Sequence, residues 1–256
     1  MAHFNGKVVL ITGASGGVGR ALWKHFDELG ATVIALDKDP GVHELSNATT
    51  ECAVVDVSND DEVTATIHAM AEKCGPIDVL VNNAGVGGER TLAKSTPDGW
   101  HRGIATNLHS VYYCTSAVLP AMRERKQGAI VMVSSVNGMT TLGSPDYSAA
   151  KAAMISFTKF VAVECGRDGV RANAVCPGTI RTPIWQDRLE KNPELFDQLK
   201  KWYPLGRVAE PIEVAKAVAF LAGDDATFIT GAVLNVDGGL LAGNPIMAAE
   251  LTNERF

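Results

Sequence analysis

The chain has 256 residues, 46% hydrophobic and 20% charged, which suffices for a sizeable core without disulfides or metals. Its formal net charge of -6 argues against nucleic-acid and anionic-membrane binding, both of which need gathered Lys and Arg. Five cysteines, with no Cys-x-x-Cys pair among them, argue against a disulfide framework and a zinc site and suit a reducing compartment.

The first residues run straight into an apolar strand, with neither a basic leader nor a small-residue cleavage site. No apolar run approaches the roughly 20 residues of a membrane span, and the expected location is cytoplasmic. KVVLIT (7–12) reads as a strand and leads to a helix from Val18 to Leu29. ATVIALD (31–37) is the second strand and CAVVDV (52–57) the third. A helix from Asp61 to Lys73 follows, with Asn59 as its cap. IDVLVNN (77–83) precedes one long helix, Pro97 to Arg123, and the basic stretch Arg123–Lys126 reads as its solvated end. AIVMVSS (129–135), a helix from Tyr147 to Cys165, VRANAVC (170–176), a helix from Ile212 to Leu221, and AVLNVD (232–237) complete the series. Most of the seven strands are continuously apolar, as strands covered on both faces are. The expectation is a single α/β domain: a Rossmann-like, doubly wound parallel sheet of about seven strands with helices on both faces. Its ligands would lie at the carboxyl ends of the strands. The irregular stretch 177–211, with five prolines and two tryptophans, is a candidate cover for a ligand.

The first strand ends in TGASGGVG (12–19). Gly13, Gly17 and Gly19, with Ser15 and Val18 between them, sit where a backbone can approach a pyrophosphate and a helix N-terminus can receive it. Asp37 ends the second strand, where a carboxylate can accept bonds from ribose hydroxyls and repel a 2′-phosphate. That favours NAD over NADP, with Lys38 the dissenting residue. Asp56 and Val57 could flank an adenine ring. Asn83, Ala84 and Gly85 close the fourth strand with small side chains beside the same ligand.

YSAAK (147–151) places Tyr147 and Lys151 on one face of a helix. A free phenol is a poor base at neutral pH, and a neighbouring ammonium lowers its pKa toward the range where proton transfer catalyses. SSVNG (134–138) follows the fifth strand at the same edge, so Ser134 or Ser135 could bond a substrate oxygen beside Tyr147. Asn107, a mediocre helix former inside the long helix, could bend the backbone and hold a water that links Lys151 to solvent.

TGASGGVG, Asp37, NNAG (82–85), Asn107, SSVNG, YSAAK, Pro177-Gly178 and the closing VDGG (236–239) stand in the order in which the short-chain dehydrogenase/reductase family carries them. The chain resembles that family over nearly its whole length. The resemblance implies a catalytic tetrad of Asn107, Ser135, Tyr147 and Lys151, with Tyr147 and Lys151 also touching the nicotinamide ribose. The family usually sets its serine thirteen residues before the tyrosine, a spacing that Ser134 meets and Ser135 misses by one. Ser135 is preferred because Val-Asn-Gly after it matches the family's Ser-x-x-Gly context, and Ser134 stays open. The resemblance also implies that Pro177, Gly178, Thr179 and Ile180 line the nicotinamide, with Thr182 near its amide or the phosphates. Residues 181–210 would be a substrate lid within the one domain, and the partner another copy in a homodimer or homotetramer. Alanines 149, 150, 152 and 153 would suit helix packing across the dyad.

The expected substrate is a neutral secondary alcohol, such as a sugar, polyol or cyclic alcohol, interconverted with its ketone. Gly87, Asn137, Met139, Thr141, Ile184 and Trp185 are candidate pocket residues, with Asn137 and Trp185 expected to touch substrate alongside Ser135 and Tyr147. No cluster of Arg or Lys converges there in the sequence, and Arg181 is expected to face solvent. Two rival readings are a non-catalytic NAD-binding sensor, which would not turn over any alcohol, and an epimerase or lyase with tightly held NAD, which would release no NADH. The intact tetrad opposes the first and the missing substrate domain the second.

Overall fold

The computed structural model describes residues 4–254. In chain order it contains β1 (Val8–Thr12), α1 (Gly17–Glu28), β2 (Thr32–Asp37), β3 (Thr50–Val54), α2 (Asp60–Cys74) and β4 (Val79–Asn82). Then come α3 (Pro97–Ile104), α4 (Ser110–Arg125), β5 (Gly128–Val133), α5 (Pro145–Cys165) and β6 (Val170–Pro177). The last elements are α6 (Gln186–Lys191), α7 (Leu195–Leu199), α8 (Pro211–Ala222), β7 (Val233–Val236) and α9 (Pro245–Thr252). All seven strands are parallel, in the order β3-β2-β1-β4-β5-β6-β7.

The apolar strands follow from burial on two sides. Val9 and Ile11 of β1 face the layer of α1 and α8, while Val8 and Leu10 face that of α2, α4 and α5. A strand whose alternate side chains enter two cores has no polar face. The order reverses between β1 and β4, and such a crevice at the strand carboxyl ends is where ligands bind in this architecture.

Three expectations need correction. The third strand runs over Thr50–Val54 rather than 52–57, because its partner β2 ends at Asp37, opposite Val54. Asp56 and Val57 therefore lie past the strand, where the Asp56 carboxylate accepts the N–H and hydroxyl of Ser58 in a tight turn. Those bonds hold the Asp56 carboxyl below its ordinary pKa. The long helix is broken: α3 and α4 are joined by a π-helical turn, Ala105–His109, that holds Asn107. The basic stretch after it is exposed at Arg123, Glu124 and Lys126, but its arginines are paired rather than free. Arg123 pairs with Glu164 and Asp168, while Arg125 bonds Asp78 and the Ile77 carbonyl. Asn59 caps α2 as expected, accepting the Glu62 N–H.

Candidate active site

The turn after β1 is shaped for close backbone approach. Gly13 has φ +67°, and a Cβ there would lie 2.7 Å from the Ala84 Cα. A side chain at Gly19 would collide with the Gly13 carbonyl, and one at Gly17 would lie 2.7 Å from Thr182. Gly16 precedes α1 with no side chain to cap it, so the first-turn N–H groups, including that of Val18, lack a side-chain acceptor. The buried Ser15 hydroxyl has no partner among the described residues. Asp37 is aimed at this turn: its carboxylate accepts the N–H groups of Ser15 (2.9 Å) and Asp39 (3.0 Å). An N-terminal turn of open donors, an orphaned hydroxyl and a carboxylate at the end of β2 fit a dinucleotide. Asn83 fixes the neighbouring strand end through bonds to the carbonyls of Thr12 and Gly13, and Ala84 N–H donates to Thr12 Oγ1. Pro177 ends β6, and Gly178, Thr179, Ile180 and Thr182 cross the same edge toward Gly17.

Tyr147 and Lys151 share one face of α5, with the lysine Nζ 5.5 Å from the centre of the phenol ring. Lys151 is buried and donates to the Val133 carbonyl at 2.8 Å. Burial pulls its pKa down to about 8. Burial also pushes the Tyr147 phenol above its ordinary value, opposed by the Ser135 hydroxyl beside it. The direction is opposite to that expected from a nearby ammonium. Removing a phenol from water disfavours the phenolate, and here that outweighs what its neighbours supply.

The two serines separate cleanly. Ser134 Oγ donates to the Lys151 carbonyl at 2.9 Å and so faces helix backbone, while Ser135 lies beside Tyr147 and accepts the Asn137 N–H. Successive residues of an extended chain point to opposite sides. Asn107 is fully buried, and its amide clamps the loop after β4: Nδ2 donates to the carbonyls of Val86 and Gly103, and Oδ1 accepts the Val86 N–H. These bonds engage both ends of the amide. Gly85 lies between this amide and Lys151 Nζ, at 2.8 and 3.5 Å from a Cβ built there.

A cavity of about 570 Å³ opens beside this group. Gly87 and Ile184 line it; Asn137, Met139, Thr141 and Trp185 do not. Asn137 holds the loop before α5 by donating to the Gly143 carbonyl and the Ser148 hydroxyl. Trp185 belongs to a small core of residues 181–210, packed on Phe196 and under the guanidinium of Arg188. Tyr203 anchors that segment, its hydroxyl donating to Thr179 Oγ1 and accepting the Thr179 N–H. Arg181 is tied to Glu210 and stacked over Phe196. The cavity wall also holds Arg90, Lys94, Arg102 and Arg188, with Glu89 and Asp146. Cations do converge here, contrary to expectation. They come from three separate segments, so no stretch of sequence shows them together.

A family model described as enoyl-(acyl carrier protein) reductase matches residues 13–241. An oxidoreductase of the short-chain dehydrogenase/reductase family from Burkholderia thailandensis has a crystal structure that is 48% identical, covers 98% of both chains and superposes with TM-score 0.92. The meso-2,3-butanediol dehydrogenase of Serratia marcescens is 38% identical over 246 residues, 94% of this chain and 96% of that one. The NADP-bound structure of ElxO is 31% identical, covering 95% of this chain and 100% of the other at TM-score 0.87. The chain therefore belongs to the short-chain dehydrogenase/reductase family of oxidoreductases.

Proposed function

We propose that the protein is an NAD-linked dehydrogenase that interconverts a secondary alcohol and its ketone. The observation that carries this reading is the convergence of Tyr147, Lys151 and Ser135 at the crevice beside the glycine turn. Tyr147 takes the hydroxyl proton during oxidation and returns it during reduction. Ser135 orients the same oxygen, and Lys151 supplies the positive charge that favours the phenolate. Asn107 acts by holding the Val86 loop against the reacting centre. When bound, the nicotinamide supplies the hydride chemistry. Residues 181–210 form the lid over the substrate.

Asp37 supports NAD over NADP. Its oxygens occupy the side of the turn that a 2′-phosphate would need, and Arg20, the guanidinium reaching that turn, is paired with Glu44. The test is a screen of secondary alcohols with NAD⁺ and NADP⁺, read as absorbance of the reduced cofactor. Wild type should favour NAD⁺ by at least about tenfold in kcat/KM, and Asp37→Ala should narrow that ratio by about tenfold. No reduced cofactor with any alcohol would sink the proposal, and a ratio indifferent to Asp37→Ala would sink the cofactor assignment.

The partner is a second copy of the chain. Tyr112, Phe160 and Val163 form one exposed apolar face on α4 and α5, and Phe220, Phe228 and Leu234 expose another on α8, the loop after it and β7. Two separate faces favour a homotetramer. Ala149 and Ala152 are exposed beside the first face, whereas Ala150 is wholly buried within the protomer. Light scattering at micromolar concentration should give a tetramer, and Val163→Asp should leave dimers. A monomeric wild type would refute the assembly.

A further inference from the structure

The cavity bounded by Val86, Gly103 and Asp146 gathers arginines, a side chain that is mostly paired elsewhere in the described residues. Among the ten described arginines, six make ion pairs or bond backbone carbonyls: Arg20, Arg123, Arg125, Arg171, Arg181 and Arg207. The guanidinium groups of the other four make no hydrogen bond or ion pair among the described residues, and three of those residues, Arg90, Arg102 and Arg188, line this one cavity with Lys94. In a chain of net charge -6 such segregation has no structural reason.

The wall holds two acids. Glu89 is exposed, and neither it nor Asp146 pairs with any of the four cations. Asp146 is sealed between Gly88 and Gly103, where any side chain would collide with its carboxylate, and its oxygens do not open into the cavity. Four cations against these two acids leave the wall with a net positive charge. Arg188 is held over the Trp185 ring at 4.5 Å, which fixes the direction of its planar donors. Burial and the nearby Arg90 both disfavour its charge. Neither of these two guanidinium groups is paired with a carboxylate among the described residues.

We infer that this cavity receives a carboxylate or phosphate carried by the substrate, with Arg90 and Arg188 as the main donors and Arg102 and Lys94 completing the field. The inference rests on the oxidoreductase reading only in assigning the anion to a substrate. It replaces the neutral alcohol expected from the sequence with a hydroxy acid or a phosphorylated polyol. Its alcohol reaches Tyr147 while its charged end lies between α3 and the lid. Arg suits both anions, since its fork meets paired oxygens in one plane.

Two measurements test it. In the first, thermal unfolding with saturating NAD⁺ is followed against malonate, inorganic phosphate and the neutral malonamide. Malonate or phosphate should raise Tm in wild type, while Arg90→Gln/Arg188→Gln should need at least about tenfold more of the same anion for the same rise. Whichever anion acts identifies carboxylate or phosphate as the recognised group. Malonamide should do nothing, and an equal response in wild type and variant would overturn the site. In the second, the ratio of kcat/KM for a hydroxy acid or a phosphorylated polyol over its neutral counterpart should exceed about ten and fall about tenfold in the double variant. A ratio near one in wild type would overturn the substrate class. An anion-dependent Tm with no alcohol turned over would leave the site standing and remove the dehydrogenase reading. Turnover confined to neutral alcohols would do the reverse.

Discussion

Tyr147→Phe is expected to lower kcat by about 10²- to 10⁴-fold, the range that a positioned proton donor or acceptor supplies. The substitution removes one oxygen and keeps the ring, so KM should change little and the loss should appear equally in kcat and kcat/KM. Stability should hardly move, since no bond from the phenol hydroxyl to the backbone is broken. Steady-state rates beside a thermal melt check both parts. A variant that keeps more than a tenth of wild-type turnover would take Tyr147 out of the chemistry. A variant that melts early would mean that the hydroxyl is structural. Lys151→Met should lose activity to a similar extent, because the charge that favours the phenolate goes with it.

The largest stability effect is expected at Arg171, outside the crevice. From β6 its guanidinium donates to the carbonyls of Leu221 (2.7 Å), Ala222 (3.0 Å), Gly223 (3.0 Å) and Ile229 (3.4 Å). The first three belong to the end of α8, whose last turn contains no basic residue of its own. One cation thus satisfies orphan carbonyls and offsets the negative end of the helix dipole. Arg171→Met takes the guanidinium from the three carbonyls at the end of α8, while Ile229 keeps the Asn173 amide, and should cost about 3 kcal/mol, a fall in Tm of about 6–12 °C. Arg171→Lys should recover only part, since a point ammonium cannot span four acceptors laid out for a planar fork. Denaturant titration of the three proteins decides it, and an unchanged midpoint in Arg171→Met would show that water replaces the guanidinium.

The strands were legible because burial on two sides removes most polar residues from both, as in β5 and in β1 up to Thr12. The Asn59 cap was legible because capping is local. The serine that lies beside Tyr147 was half legible. Spacing pointed to Ser134 and context to Ser135. The pleat after β5 separates them, and the loop to α5, which turns through Gly143 (φ +93°) and Ser144 (φ +54°), takes up the missing residue. What was hidden depended on partners far along the chain. Asn107 breaks a helix by reaching Val86, 21 residues away, and nothing in the segment 105–109 marks a π turn. Asn137 and Trp185 carry side chains suited to a substrate, yet each satisfies its own loop. Arg90, Arg102 and Arg188 each resemble an ordinary surface cation until the fold brings them around one cavity. Asp146 is shut away only by packing against Gly88 and Gly103, segments distant from it in the chain.

The buried ammonium of Lys151 links this catalyst to its own durability. Its proton is held at about 8 in the native protein against an ordinary value of 10.5, so the unfolded chain keeps that proton more tightly. The penalty is full below pH 8, fades as pH rises toward 10.5, and corresponds to about 3 kcal/mol against the folded state at neutrality. A breeder selecting this protein for heat tolerance alone would drift toward losing the very residue that a breeder selecting for turnover would guard.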